Sequence, residues 1–185
     1  RALKIGIRCF NVESESELHR IAKLAEAAQC VAPISIRVNP DVDAQTHPYI
    51  STGLQENKFG IDINDAPRIY ALAKQYASLK ITGIDCHIGS QLTTLTPFQD
   101  ALSRVLNLVD QLSDEGINLE HIDVGGGLGV RYQEEDPPAI SDHIDGLFAA
   151  MNGRDQELVL EPGRSIAANA GALLMRVDTI KHNPS

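Results

Sequence analysis

The sequence predicts an α/β fold built on a parallel sheet, and three observations carry that prediction. Short apolar, β-branched runs alternate with amphipathic helical stretches along most of the chain. Two motifs, GGGLG at Gly125–Gly129 and EPGR at Glu161–Arg164, each follow such a run, Ile122-Asp123-Val124 and Leu158-Val159-Leu160. The motifs lie about one strand–helix unit apart, so both read as loops at the C-terminal ends of successive strands, where barrel enzymes place their sites. A doubly wound sheet and part of an eight-stranded barrel both remain open. A full barrel needs about 250 residues, so within 185 residues a barrel would be incomplete.

Taken in order, Cys9–Val12 is the first strand, and the helix after Glu13-Ser14 shows Leu18, Ile21, Ala22, Leu24, Ala25 and Ala28 at helical spacing. Ile34–Val38 is the second strand, stopped by Asn39-Pro40. A polar stretch from Asp41 to Gly60 then breaks the rhythm; a loop that long in a compact domain is usually functional or disordered. Asp65–Tyr76 is helical, with Pro67 near its start. Leu79–Ile88 is the third strand and leads into His87-Ile88-Gly89-Ser90-Gln91. Pro97–Glu115 is an amphipathic helix through Phe98, Ala101, Leu102, Val105, Leu108, Val109 and Leu112, ended by Gly116. Ile122–Val124, a helix over Ile140–Met151, and Leu158–Leu160 complete the alternation. The five strands, near residues 9–13, 34–39, 80–88, 120–125 and 157–161, are expected side by side in sequence order, with His87, the glycines and EPGR on one rim. Small residues then follow Arg164, and Leu173–Ile180 reads as a strand of another kind, which puts a domain change near Ala168–Gly171.

Composition excludes several classes. A net charge of −9 argues against a nucleic-acid surface. No apolar run approaches the ~20 residues of a membrane span, and no signal peptide is evident. Three scattered cysteines, Cys9, Cys30 and Cys86, favour reduced thiols in a cytoplasmic enzyme over a disulfide framework. His19, His121, His143 and His182 show no metal-ligand spacing, so no metal is expected.

The motifs point to an anionic ligand. Consecutive glycines at Gly125–Gly127 are costly to order and let backbone N–H groups approach a phosphate. A glutamate and an arginine in the next loop can read a charged ligand. Together they imply a phosphorylated cofactor at the rim.

Several stretches also resemble the diaminopimelate decarboxylase branch of the fold-type III pyridoxal-phosphate decarboxylases. They are Arg37–Asp43, Thr46–Leu54, Asn57–Ile61, the HIGSQ at His87–Gln91, the GGGLG and the EPGR. Phe10–Ser14 is similar to that family's fourth barrel strand. The resemblance implies the C-terminal five strand–helix units of a pyridoxal-phosphate-binding TIM-type (β/α)8 barrel over residues 1–168. It also implies the start of a C-terminal β-domain over residues 169–185. The activity implied is decarboxylation of meso-2,6-diaminopimelate to L-lysine, the last step of lysine biosynthesis, by a cytoplasmic homodimer acting on a small amino acid. The family's Schiff-base lysine would lie upstream of Arg1 and its catalytic cysteine downstream of Ser185, so the 185 residues alone are expected to be inactive.

By the same resemblance, His87 stacks on the pyridoxal ring and Ser90 hydrogen-bonds its phosphate. Gly125, Gly126 and Gly127 cradle that phosphate, with Gly127 foremost. Glu161 faces the ring nitrogen and keeps it protonated, which strengthens the ring as an electron sink. Pro162, Gly163 and Arg164 lie near the phosphate and substrate, and Arg164 offers its bidentate fork to a substrate carboxylate. Lys58 reads as a loop residue rather than the Schiff-base lysine, and Lys4, Lys23, Lys74 and Lys80 as solvated. His47, Tyr49 and Ser51 are candidates for the site mouth, and Arg37 for positioning acidic partners. Alternatives are another barrel decarboxylase acting on ornithine or arginine, a non-catalytic pyridoxal-phosphate carrier, a decarboxylase-like regulator that has lost its chemistry, and a racemase. The last is disfavoured because Glu161 stands where racemases of this fold set an arginine.

Overall fold

The computed structural model describes residues 1–42 and 59–181. The loop candidates His47, Tyr49, Ser51, Asn57 and Lys58, and also His182, lie outside those residues.

The elements follow the expected rhythm. α1 (Ala2–Ile5) precedes β1 (Phe10–Val12), α2 (Glu15–Ala27) and β2 (Ala32–Asn39). After β3 (Ile61–Asp62) come α3 (Ala66–Ala73), β4 (Leu79–Asp85), α4 (Thr96–Asp114), β5 (His121–Asp123), α5 (Ile140–Met151), β6 (Glu157–Val159) and α6 (Arg164–Ala167). The strands run in the order β1-β2-β4-β5-β6, with β3 pairing beside β2, and every pairing is parallel. Five of them are the expected strands in the expected order, and this is the strand–helix arrangement of a barrel wall. β3, α1 and α6 were not anticipated; at two and four residues each, none is long enough to show a period.

The packing explains the pattern. Ser14 caps α2 by accepting from the Glu17 N–H at 3.2 Å, while the Glu17 carboxylate accepts from the N–H of Glu13, just ahead of the cap, at 2.8 Å. β2 is buried on both faces, through Ile34, Ile36, Val38 and Ser35, because helices cover one side of a parallel sheet while the other faces inward. α4 buries the apolar stripe read from the sequence, from Phe98 to Leu112. On α3, the fully buried Tyr70 hydroxyl donates to the Gly83 carbonyl at 2.9 Å. Gly83 also makes room for the His121 ring, which a side chain at that position would overlap.

Two expectations need correction. β4 ends at Asp85, not Ile88, so His87 lies on the loop two residues beyond the strand. The run Cys86-His87-Ile88 looks like strand because it is apolar, but only the Cys86 N–H continues the ladder, to the Asp123 carbonyl at 2.9 Å. The strand expected over Leu173–Ile180 is not formed among the described residues. Its side chains are open to solvent, Leu174 at 96%, and it pairs with no described strand. Among the described residues, no helix is long and apolar enough to cross a membrane.

Candidate active site

Strand register assembles the centre of the site. Arg37 on β2 pairs in register with Asp85 on β4, and Asp85 with Asp123 on β5. Cross-strand partners point to the same face, so one cation and two acids form a row at the C-terminal edge of the sheet. Glu161, two residues past Val159, which is itself the partner of Asp123, joins the row from the next loop. One carboxylate oxygen from each of Asp85, Asp123 and Glu161 lies within 4.8 Å of the other two. At an effective dielectric near 20, two full charges so placed repel by roughly 3 kcal/mol.

The three acids sit in different surroundings. Asp85 is 3% exposed, and its Oδ1 has no hydrogen-bond partner among the described residues. Burial, then the neighbouring Asp123, pushes its carboxyl up to about 8, against the pull of Arg37, whose Nε lies 3.7 Å from Oδ2. Asp123 is also shifted upward, mainly by burial, but the Gly125 N–H donates to its Oδ1 at 2.8 Å and opposes that shift. Glu161 is exposed at the rim. Arg37 is shared: its Nη1 donates to Glu13 at 2.8 Å, and its guanidinium lies 5.5 Å from the Phe59 ring. The expectation that Arg37 meets acidic partners is thus met by Glu13 and Asp85.

The loops that follow β4, β5 and β6 are stitched together by their backbones. The Leu92 N–H donates to the Gly127 carbonyl at 2.9 Å, and the Gly129 N–H returns to the Leu92 carbonyl at 2.8 Å. The Glu161 N–H donates to the Gly125 carbonyl at 2.8 Å. This close approach explains the glycines directly. A Cβ at Gly126 would run into the Glu161 carbonyl, and one at Gly127 into that of Gly89. Gly125 and Gly127 also have positive φ, 68° and 112°. Loop-to-loop contact therefore requires the run in its own right, in addition to any ligand. The N–H groups of Gly125 and Gly126 are already donated, to Asp123 and to His87 Nδ1 at 3.2 Å. That of Gly127 has no acceptor among the described residues.

The remaining candidates gather around this seam. His87 is half-buried, and burial first, then the nearby Arg37, lowers its basicity while Glu161 opposes. With Nδ1 accepting from Gly126, the ring is the neutral tautomer carrying its proton on Nε2. Gln91, not singled out from the sequence, is the amide clamp of the rim: it donates to the Val130 carbonyl at 2.6 Å and accepts from the Val130 N–H at 3.1 Å. Its oxygen also accepts from Arg164 Nη1 at 3.3 Å, and the Arg164 guanidinium lies 5.8 Å from the Tyr132 ring. Arg164 thus reaches from α6 across to the HIGSQ loop. Pro162 and Gly163 are exposed beside it, and Ser90 is partly exposed in the bend after Gly89. The thiols of Cys9 and Cys86 are pushed upward by burial, so neither is poised as a thiolate. An apolar cavity of about 240 Å³ lies behind the glycine run against α5, lined by Ile144, Leu160 and Ile166 among others. It touches none of His87, Glu161 and Arg164, so the charged groups converge on the open rim and not in this cavity.

Asp85 and Asp123 are the functional candidates that sequence reasoning missed. The available signal was an acid after isoleucine, Ile84-Asp85 and Ile122-Asp123, each two residues ahead of its loop motif inside an otherwise apolar strand. The rim suits a phosphorylated, cationic aromatic ring: excess negative charge meets a ring N–H, a neutral imidazole supplies a flat face, and the Gly127 N–H is left for a phosphate.

The comparisons with known proteins agree with this geometry. Residues 1–168 match the family model for the pyridoxal-binding domain of pyridoxal-dependent decarboxylases. The chain is similar to the diaminopimelate decarboxylase of Pseudomonas aeruginosa, 59% identical over 98% of the chain, and to that of Haemophilus influenzae, 56% identical over 100% of it. It spans 44% and 45% of those relatives' lengths. Among solved structures, Helicobacter pylori diaminopimelate decarboxylase complexed with L-lysine superposes with a TM-score of 0.86 at 45% identity, covering 89% of this chain and 42% of that one. With parallel strands in barrel order, a shared rim and a family match over most of its length, the chain belongs to the pyridoxal-dependent decarboxylases, as their pyridoxal-binding domain.

Proposed function

We propose that the full-length protein is a pyridoxal-phosphate-dependent decarboxylase that converts meso-2,6-diaminopimelate to L-lysine and carbon dioxide. The observation that carries this reading is the convergence of His87, the Gly127 N–H, Glu161 and Arg164 on one rim. The substrate assignment is supported by the identity to diaminopimelate decarboxylases along almost the whole chain.

When bound, pyridoxal phosphate supplies an electron sink for the pair left behind as carbon dioxide departs. The residues of this chain set the conditions for that. The Glu161 carboxylate holds a proton on the ring nitrogen, and Asp123 behind it, bonded to the Gly125 N–H, adds to the negative potential there. His87 supports the ring with its face; its orientation is fixed by the hydrogen bond from Gly126. The Gly127 N–H, with Ser90 and Gly163 nearby, holds the phosphate. Arg164, oriented by Gln91, presents the rest of its fork to a substrate carboxylate. Residues 169–185 are read as the start of a second domain, a reading supported by the exposed apolar side chains Leu173, Leu174 and Met175. Assembly as a homodimer belongs to the same proposal.

The test is to supply the full-length protein with pyridoxal phosphate and meso-diaminopimelate and to follow lysine and carbon dioxide. Stoichiometric formation of both is expected. A higher kcat/KM on ornithine or arginine would replace the substrate, and no turnover by protein carrying the cofactor would overturn the activity. Light scattering on the same preparation reads the assembly.

A further inference from the structure

Three carboxyl groups share the rim with the Arg37 guanidinium, which is also bonded to Glu13. The cluster cannot carry three full charges cheaply, so one member stays neutral, and the surroundings decide which. Glu161 is exposed, and water solvates its charge. Asp123 accepts the Gly125 N–H, a bond that favours its ionised form. Asp85 has neither: it is 3% exposed, and its Oδ1 meets no donor among the described residues. An ionised oxygen there would be uncompensated, whereas a protonated one adds no charge beside two carboxylates that lie within 4.8 Å and gains a proton to turn toward them.

We propose that Asp85 is a positioning residue for Glu161: it carries the cluster's proton as a neutral acid, and so leaves Glu161 ionised and held toward the cofactor ring nitrogen. The inference rests on the cofactor reading above for its purpose, but not for its chemistry. The charged and titratable groups around Asp85 are Arg37 on β2, Asp123 on β5, Glu161 after β6, Glu13 after β1 and Cys9 ahead of β1. Tyr70 on α3 and Cys86 beside it are kept neutral by burial. Burial and Asp123 outweigh Arg37, so the Asp85 carboxyl, pushed up to about 8, is neutral at pH 7. No proton is lost or gained when the cluster orients Glu161; the Asp85 O–H only donates to it.

Two substitutions separate the donor from the bulk. Asp85→Asn keeps a neutral donor of the same shape, while Asp85→Leu keeps similar volume and removes the donor. The first measurement is infrared spectroscopy on full-length protein without cofactor. The expected result is a protonated-carboxyl C=O band at pH 7 that fades with a midpoint near pH 8 and is missing from Asp85→Asn. The second is equilibrium binding of pyridoxal phosphate. Asp85→Leu is expected to weaken it by about tenfold or more, the worth of one hydrogen bond to a charged group, and Asp85→Asn to restore it to within about threefold of wild type. No such band in the wild type, the same band in Asp85→Asn, or equal damage from both variants would overturn the proposal. Failure of wild-type protein to bind pyridoxal phosphate would overturn the cofactor reading instead, and the infrared band alone would then decide the proton.

Discussion

Replacing Gly126 by alanine should damage the protein before any ligand is considered, whereas the same change at Gly163, in the EPGR loop, should not. The added Cβ at Gly126 would overlap the backbone carbonyl of Glu161, which cannot swing aside as a flexible side chain could. At Gly163 nothing lies within 4 Å of that Cβ, and its φ of −111° imposes no left-handed strain. Overpacking of this kind costs about 1–3 kcal/mol. Near 2–4 °C per kcal/mol for a domain of this size, that is a fall in Tm of roughly 2–12 °C. Gly163→Ala should stay within about 0.5 kcal/mol of wild type. The assay is thermal unfolding of full-length protein stripped of cofactor, followed by binding of pyridoxal phosphate to each variant. If Gly163 lies against the phosphate, its alanine variant loses affinity with an unchanged melt. A Gly126→Ala protein that melts with the wild type, or equal losses at both positions, would refute the claim that loop-to-loop contact demands the glycine.

Other outcomes follow from the same geometry. On the roles proposed above, Glu161→Gln should mainly lower kcat, its charge acting as electrons enter the ring, and Arg164→Lys should mainly raise KM, by roughly 2–4 kcal/mol in kcat/KM; steady-state kinetics on meso-diaminopimelate separates them. Stability should fall as pH rises between the ordinary carboxylate range and about 8, since the folded state keeps a proton on Asp85 that the unfolded state has lost. The slope is at most about 1.4 kcal/mol per pH unit for this group, Asp123 adds to it with the same sign, and Asp85→Asn should flatten it in denaturant titrations at pH 5 to 8. Tyr70→Phe, which strands the buried Gly83 carbonyl, should cost about 1–3 kcal/mol in the same titration.

Most of the architecture was legible because parallel strands packed under helices leave apolar or β-branched runs too short to be helices, with turn residues between them. β1, β2, β4, β5 and β6 announced themselves in this way, and α4 did so by its apolar stripe. β3 was not legible: two residues cannot show a period, and its pairing with β2 is purely tertiary. The end of β4 was misread because Cys86 and Ile88 are both buried by packing, while of the two only Cys86 still pairs, through its N–H. At the site, the motifs marked the loops correctly as neighbours. Register, which sequence does not display, set Asp85 opposite Asp123 and Arg37. Gln91 escaped notice because an amide acquires a role only from what it spans, here Val130 and Arg164.

The seam between Leu92 and residues 127–129 limits how the protein can change. The loops after β4 and β5 hold each other in fixed step, and the loop after β6 is tied in through Gly125 and Glu161. An insertion or deletion in one of them would slide it against the other two and break several hydrogen bonds at once. Length variation should therefore collect in the exposed stretch from Arg131 to Ala139, which leads from the seam to α5. New ligand preferences at the rim would then arise by exchanging side chains along it or by remodelling that outlying stretch, while the stitched backbone beneath stays constant.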